Sequence, residues 1–153
     1  EISNWALRRD GRLLACRHNL QYWRNWPYFG LGAGAHGFVH GHRTVNALAP
    51  AAYIERMAGE AEPVFPRTPA TIKAQPVDGV LEMGETMMMG LRLLEEGVSQ
   101  SGFAERFGCS LDEVYGEVIA ELQADGLLEN GDDRLRLTAK GQLLGNRVFR
   151  EFI

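Results

Sequence analysis

Ser110-Leu111-Asp112-Glu113 is a capping box, in which a serine and the glutamate three residues on each satisfy the other's backbone N–H. It opens the segment that most limits how this chain can fold. Behind it Leu111, Val114, Tyr115, Val118, Ile119 and Leu122 recur at helical spacing as far as Gly126. A helix with one apolar stripe must bury that stripe against another layer. The flanking residues supply candidates: a short helix carrying Phe103 and Phe107, capped by Ser101 and ended by Gly108; two short strands, Leu127-Leu128 and Leu135-Arg136-Leu137, about an Asn130-Gly131 turn; and a last helix capped by Thr138 that uses Leu144, Val148 and Phe152. Upstream, Met87, Leu91, Leu94 and Val98 share a face that Met88, Met89 and Leu93 broaden, and core packing is the expected role of the methionine triplet.

Helix, short helix, longer helix, hairpin and helix is the order of a winged-helix-like module. The position of a DNA-reading helix, however, bears Asp112, Glu113, Glu117, Glu121 and Asp125 without a lysine or arginine. That field repels phosphates, and Arg134 and Arg136 on the wing would have to overcome it. A lid or packing role is expected instead, with no nucleic-acid partner.

The segment from Glu60 to Val80 holds Pro63, Pro66, Pro69 and Pro76 and few spaced apolar residues. It is expected to be an irregular connector, which divides the chain into residues 1–59, 60–80 and 81–153. Charge divides it similarly. Residues 1–46 carry six arginines against Glu1 and Asp10, a local +4, whereas residues 85–153 carry thirteen acids against seven bases, a local −6. The basic half suits an anion; the arginines equally suit an ordinary solvated face.

The first part reads less regularly. Ile2, Trp5 and Leu7 with a turn at Asp10-Gly11 predict a short strand entering a loop. Aromatic and polar residues from His18 to Tyr28 predict a loop, since Trp26-Pro27 favours extended backbone, and a strand is expected around Phe29 to Ala33. Ala51 to Met57 should be helical. The run Gly30-Leu31-Gly32-Ala33-Gly34-Ala35 lets either a cofactor or a second element approach the backbone closely, and it lacks the full spacing of a phosphate or dinucleotide loop.

All four histidines, His18, His36, His40 and His42, fall within the first 42 residues. With Cys16 they lack the paired cysteines or His-Glu-x-x-His spacing of a zinc site. An imidazole beside Tyr22 and Trp23 suits an axial ligand to heme iron, and suits equally a hydrogen-bonded loop histidine. Cys16 and Cys109 are too few for a disulfide framework, so a reducing, cytoplasmic setting is expected. No apolar run has the length of a membrane span. The chain opens on Glu1 rather than methionine and reads as a piece of a longer protein.

Glu1-Ile2-Ser3-Asn4-Trp5-Ala6, Cys16-Arg17-His18-Asn19-Leu20-x-Tyr22-Trp23, Leu31-Gly32-Ala33-Gly34-Ala35-His36, the Glu85 to Leu94 helix and Arg134-Leu135-Arg136-Leu137-Thr138-x-x-Gly141 give the chain a family likeness. It resembles the carboxy-terminal part of the oxygen-independent coproporphyrinogen III oxidase-like radical SAM proteins, nearest their heme-chaperone branch. The resemblance implies an α+β chain, with residues 1–59 the final strands of a partial β/α barrel and residues 81–153 an appended winged-helix-like domain. It also implies an upstream barrel holding a [4Fe-4S] cluster on a Cys-x-x-x-Cys-x-x-Cys motif, with S-adenosylmethionine on the free iron. Cys16 and Cys109 are the only thiols here, so no catalytic residue is expected in this stretch, and alone it should be inactive.

By the same resemblance His18, Asn19, Tyr22 and Trp23 bear on heme, with His18 a ligand to its iron, and Gly32, Ala33, Gly34 and Ala35 lie near the S-adenosylmethionine site. The implied partners are the missing barrel, heme or a porphyrin, and a heme-acceptor protein. Three functions stay in view: a chaperone that binds and delivers heme; part of an oxidase converting coproporphyrinogen III to protoporphyrinogen IX; and an interaction or lid domain without its own ligand.

Overall fold

The computed structural model describes residues 8–10, 12–13 and 15–153. The strand expected around Ile2 to Leu7 lies outside them. The described chain is a mixed α+β structure whose three small sheets are all antiparallel. It divides into two compact units, one formed by the residues up to Asn25 together with Gly79–Ile153, the other by Trp26–Asp78.

The first unit opens with a two-residue pair of strands, β1 (Arg8–Arg9) and β2 (Arg12–Leu13), registered Arg8 to Leu13 and Arg9 to Arg12. Asp10 takes φ 50 between them, in keeping with the expected turn. Helix α1 (Arg17–Trp23) follows where a loop was expected.

In the second unit β3 (His36–Val39) and β4 (His42–Asn46) form a hairpin. His40 and Gly41 turn it with φ 50 and 66, the positive pair that a tight hairpin needs. The strand expected at Phe29 to Ala33 is replaced by a single bridge, in which Tyr28 and Phe38 exchange backbone bonds of 2.6 and 2.9 Å. Gly30 and Gly37 explain why the chain stops there: a Cβ on Gly37 would come within 2.7 Å of Thr44 Oγ1 and 2.9 Å of the Gly30 nitrogen. The expected helix is α2 (Pro50–Ala58), with proline at its start, where a missing N–H costs nothing. Its Ile54 and Met57 are exposed. Strand β5 (Thr71–Pro76) corrects the reading of the proline-rich segment as wholly irregular, because Thr44, Val45 and Asn46 pair with Ala74, Lys73 and Thr71. Pro76 closes the strand on the outer edge of the order β3-β4-β5, the place in a sheet that tolerates proline.

The remainder of the first unit runs α3 (Gly79–Gly90), β6 (Val98–Ser99), α4 (Gln100–Phe107), α5 (Leu111–Ala124), β7 (Leu128–Asn130), β8 (Arg134–Leu137), α6 (Ala139–Leu143) and α7 (Gly145–Arg150), with sheet order β6-β8-β7. Most of the α5 stripe is buried: Leu111, Ile119 and Leu122 join Met87, Leu91, Phe103, Leu127, Leu135 and Val148 in one core, Tyr115 and Val118 pack against it, and Val114, expected in the same stripe, is exposed. Both halves of the capping box form, Ser110 N–H donating to Glu113 Oε2 at 2.6 Å and Glu113 N–H to Ser110 Oγ at 3.2 Å. The Ser110 N–H bond, and after it one from the Ser110 hydroxyl to the same Oε2 at 3.0 Å, hold the Glu113 carboxyl below its usual range. At the far end Gly126 takes φ 71 while its N–H and that of Leu127 reach back to Gln123 and Leu122, the two bonds of a Schellman stop.

Two expectations differ from the structure in detail, the first for a tertiary reason. Ser99, not Ser101, caps α4, accepting from the Gly102 N–H at 2.9 Å. Asp133, on the β7–β8 turn, holds this corner by accepting from Ser99 Oγ at 2.7 Å and from the Ser101 N–H and hydroxyl at 2.9 Å each. The Ser99 bond leads in drawing the Asp133 carboxyl below its ordinary range. The last helix, capped by Thr138 as expected, breaks at Leu144 (φ −112) into α6 and α7.

Candidate functional site

The local sequence favours helix at Arg17–Trp23 only weakly: Arg17, Leu20 and Gln21 are good helix formers, histidine, asparagine, tyrosine and tryptophan are indifferent ones, and Cys16 supplies no side-chain cap. The far end of α1 is held instead by its own unit. Asn25, 4% exposed and at φ 51, takes the left-handed position that ends helices, for which asparagine is the usual substitute for glycine. Its Nδ2 donates to Thr86 Oγ1 at 3.1 Å and to the Glu82 carbonyl at 3.4 Å, both on α3. Arg106 of α4 donates to the Asn25 carbonyl at 2.7 Å and to the Arg24 carbonyl at 3.4 Å, and the same guanidinium grips Glu82 Oε1 through Nε at 3.2 Å and Nη2 at 2.5 Å. Arg24 pairs bidentately with Glu96 at 2.9 and 2.7 Å, which raises its guanidinium pKa and keeps it charged.

On this clamped base α1 presents two exposed groups one turn apart. Tyr22 Oη lies 3.0 Å from His18 Nε2, and the rings meet edge to face with centroids 5.0 Å apart. With the imidazole neutral and its proton on Nδ1, the phenol donates to Nε2. Asn19 is exposed beside His18. Trp23, one turn beyond Asn19, is half-buried, with the Arg92 guanidinium 5.9 Å from its ring and 4.4 Å from that of Phe149. Arg17 is exposed at the start of the helix. Imidazole and phenol are both iron ligands, so the donor set suits the iron of a heme.

The glycine run lies in the other unit. Gly32 and Gly34 take φ 101 and 69, and the loop is tied from inside: Asn46, 4% exposed, donates through Nδ2 to the carbonyls of Gly30 and Gly32 at 2.9 and 3.1 Å. The Gly34 N–H goes to Ala47 and that of Ala35 to Gly32. Ala33 is exposed at the tip. His42 Nδ1 engages the His40 carbonyl at 2.8 Å, and among the described residues no group of three or more His, Cys, Asp or Glu converges.

Sequence reasoning missed Asn25, Asn46, Glu82, Thr86, Glu96 and Arg106. Asn25 carried a usable signal, an asparagine just before Trp26-Pro27 at the end of a possible helix. The Arg106–Glu82 and Arg24–Glu96 pairs, 24 and 72 residues apart, carried none.

The HemN C-terminal domain family matches residues 82–144. Over all 153 residues the chain is 40% identical to "Heme chaperone HemW" of Bacillus subtilis and 36% identical to that of Lactococcus lactis, covering 37% of each relative. The chain thus spans little more than a third of the length of these relatives. Among solved structures it is similar to the coproporphyrinogen III oxidase HemN of Escherichia coli, a radical SAM enzyme, with TM-score 0.55 and 15% identity over 83% of this chain and 28% of that one. At that identity the likeness speaks to the fold alone.

Proposed function

The chain carries a HemN C-terminal domain and is homologous to the HemW and HemN radical SAM family, and from that premise we propose that it is the heme-handling carboxy-terminal part of a heme chaperone. The homology supports a heme- or porphyrin-related function, and the exposed His18–Tyr22 pair on a clamped helix carries the more specific reading. His18 is the proposed iron ligand. Tyr22 and Asn19 face the macrocycle, Trp23 borders it, and the Arg17 guanidinium is placed to meet a propionate through a charge-assisted hydrogen bond. The clamp formed by Arg24, Glu96, Arg106 and Glu82 fixes the direction in which α1 points.

In this reading residues 1–59 belong to the end of a partial β/α barrel, and Gly32–Ala35 face the S-adenosylmethionine site of an upstream portion. The [4Fe-4S] cluster resides in that portion too: a cluster needs more thiolates than Cys16 and Cys109 provide, so this chain's residues do not fit it. The helices and hairpin of residues 81–153 are read as winged-helix-like, and their acidic α5 makes them a platform rather than a nucleic-acid reader. Among the described residues no helix is long and apolar enough to cross a membrane. Free thiols at Cys16 and Cys109 suit a reducing, cytoplasmic setting. The remaining partner is a protein that accepts the heme.

The test is an anaerobic titration of the chain with reduced heme, followed by visible absorption beside His18→Ala. Saturation near one equivalent and a loss of affinity of about tenfold or more in the variant, corresponding to about 1.4 kcal/mol, are expected. A folded chain with no saturable uptake overturns the proposal.

A further inference from the structure

We propose that the exposed apolar residues Leu31, Leu48, Ile54 and Met57 of the second unit form a docking surface whose occupant is the upstream portion of the same polypeptide. The inference rests on the reading of this chain as the carboxy-terminal part of a longer protein and adds which residues hold the two parts together.

The two units differ in how much apolar surface they bury. The first closes a core of its own, in which Met87, Leu91, Leu127, Leu135 and Val148 are fully buried. The second, among its described residues, buries only Phe38, Ala47 and Ala70 of its apolar side chains. Leu31, Leu48 and Ile54 are 84, 70 and 65% exposed, and Met57 is exposed with them. A unit of about fifty residues is marginal as a lone domain even with a filled core, and apolar patches left on a surface mark interaction sites.

Helix α2 shows the deficit most clearly. It has nine residues, no side-chain cap at Ala49 and no buried residue. Helices shorter than about 12 residues are marginal in water and draw most of their stability from packing an apolar side. Ile54 and Met57, three residues apart, lie on one side of α2, and that side has no core of its own to meet. Leu48, just before the helix, reaches the glycine loop, since a Cβ on Gly34 would meet its Cδ2 at 3.6 Å. In that loop buried Asn46 binds the carbonyls of Gly30 and Gly32, on either side of Leu31, so Leu31 is held outward rather than left to fold back.

The occupant follows from length and position. This chain accounts for 37% of its relatives from Bacillus subtilis and Lactococcus lactis, and the HemN C-terminal domain match at residues 82–144 sets the remaining length upstream in the reading adopted here. The match falls in the unit whose core is closed; the open apolar surface falls in the other. An attached body also meets this surface at an effective concentration that a free partner does not reach.

The experiment is hydroxyl-radical footprinting, read by mass spectrometry, of this chain and of the full-length protein of which it is a part. Leu31, Leu48, Ile54 and Met57 should label in this chain and lose most of that labelling in the full-length protein, whereas Leu143, 87% exposed on the first unit, labels in both. Equal labelling of the four residues in the two proteins overturns the docking surface. Protection that this chain shows alone and loses on dilution identifies a second copy as the occupant and overturns it too. Ile54→Glu in the full-length protein should restore labelling at Met57 with Leu143 unaltered; the comparison of the two unaltered proteins decides the matter even where that variant fails to fold. A full-length protein that protects the face and takes up no heme overturns the heme reading alone, and one that takes up heme with the face exposed overturns the docking surface alone.

Discussion

Arg106→Ala is expected to free the end of α1 and to cost about 2–4 kcal/mol of stability, more than any surface ion pair supplies. One guanidinium serves three elements: it caps the carbonyls of Arg24 and Asn25 and neutralises Glu82. Arg106 and Glu82 are 23% and 20% exposed, so water only partly replaces what is lost, and Glu82 is left without its cation. Arg24→Ala is the milder companion. Its partner Glu96 is 32% exposed and also lies 4.0 Å from Arg134, so screening and a second cation limit the loss to about 1 kcal/mol. Urea unfolding gives the stability change, and hydrogen exchange at Leu20–Asn25 tells whether it is local. The account expects faster exchange there in Arg106→Ala, together with weaker heme uptake; exchange unchanged at the end of α1 would refute the clamp.

Gly141→Ala should cost about 2–3 kcal/mol through overpacking, although alanine is the better helix former. A Cβ at Gly141 would overlap the carbonyl oxygen of Leu127 and lie 2.9 Å from its carbonyl carbon. That carbonyl cannot retreat freely, since it accepts the Thr138 N–H at 3.0 Å and belongs to a fully buried leucine. Thr138 in turn caps α6 by accepting the Gly141 N–H at 3.0 Å and anchors it by donating to the Gly126 carbonyl at 2.6 Å. Gly116→Ala on α5 is the control, because the nearest neighbour of its added Cβ is 4.0 Å away; a gain of about 0.5–1 kcal/mol is expected there. Equal unfolding midpoints for the two variants would refute the assignment of Gly141 to close packing.

What could be read from sequence was what neighbours in the chain determine. The Ser110–Glu113 box, the α5 stripe and the strands on either side of Asn130-Gly131 are local agreements of cap, period and turn, and they appear where expected. Helix α1 was hidden because its stop is supplied by Glu82, Thr86 and Arg106, far along the chain from Asn25. Strand β5 was hidden by the prolines around it, which mark the ends and edge of a strand as readily as a loop. The cap of α4 moved to Ser99 because Asp133, 34 residues away, takes its hydroxyl proton. In the candidate site, residue types pointed to His18 and Tyr22, but only the folded helix brings Oη and Nε2 to 3.0 Å. The glycine run kept two readings in sequence; Asn46 and the close approach of Gly37 to Gly30 account for its conformation by packing.

The most direct test of the central claim is where a porphyrin lands. Gallium(III) protoporphyrin, a diamagnetic stand-in for ferric heme, can be titrated into isotopically labelled chain and followed residue by residue by nuclear magnetic resonance. The account predicts the largest changes on α1, at His18, Asn19, Tyr22 and Trp23, with the Gly32–Ala35 loop little altered. Saturable changes centred elsewhere, or none at α1, would contradict it.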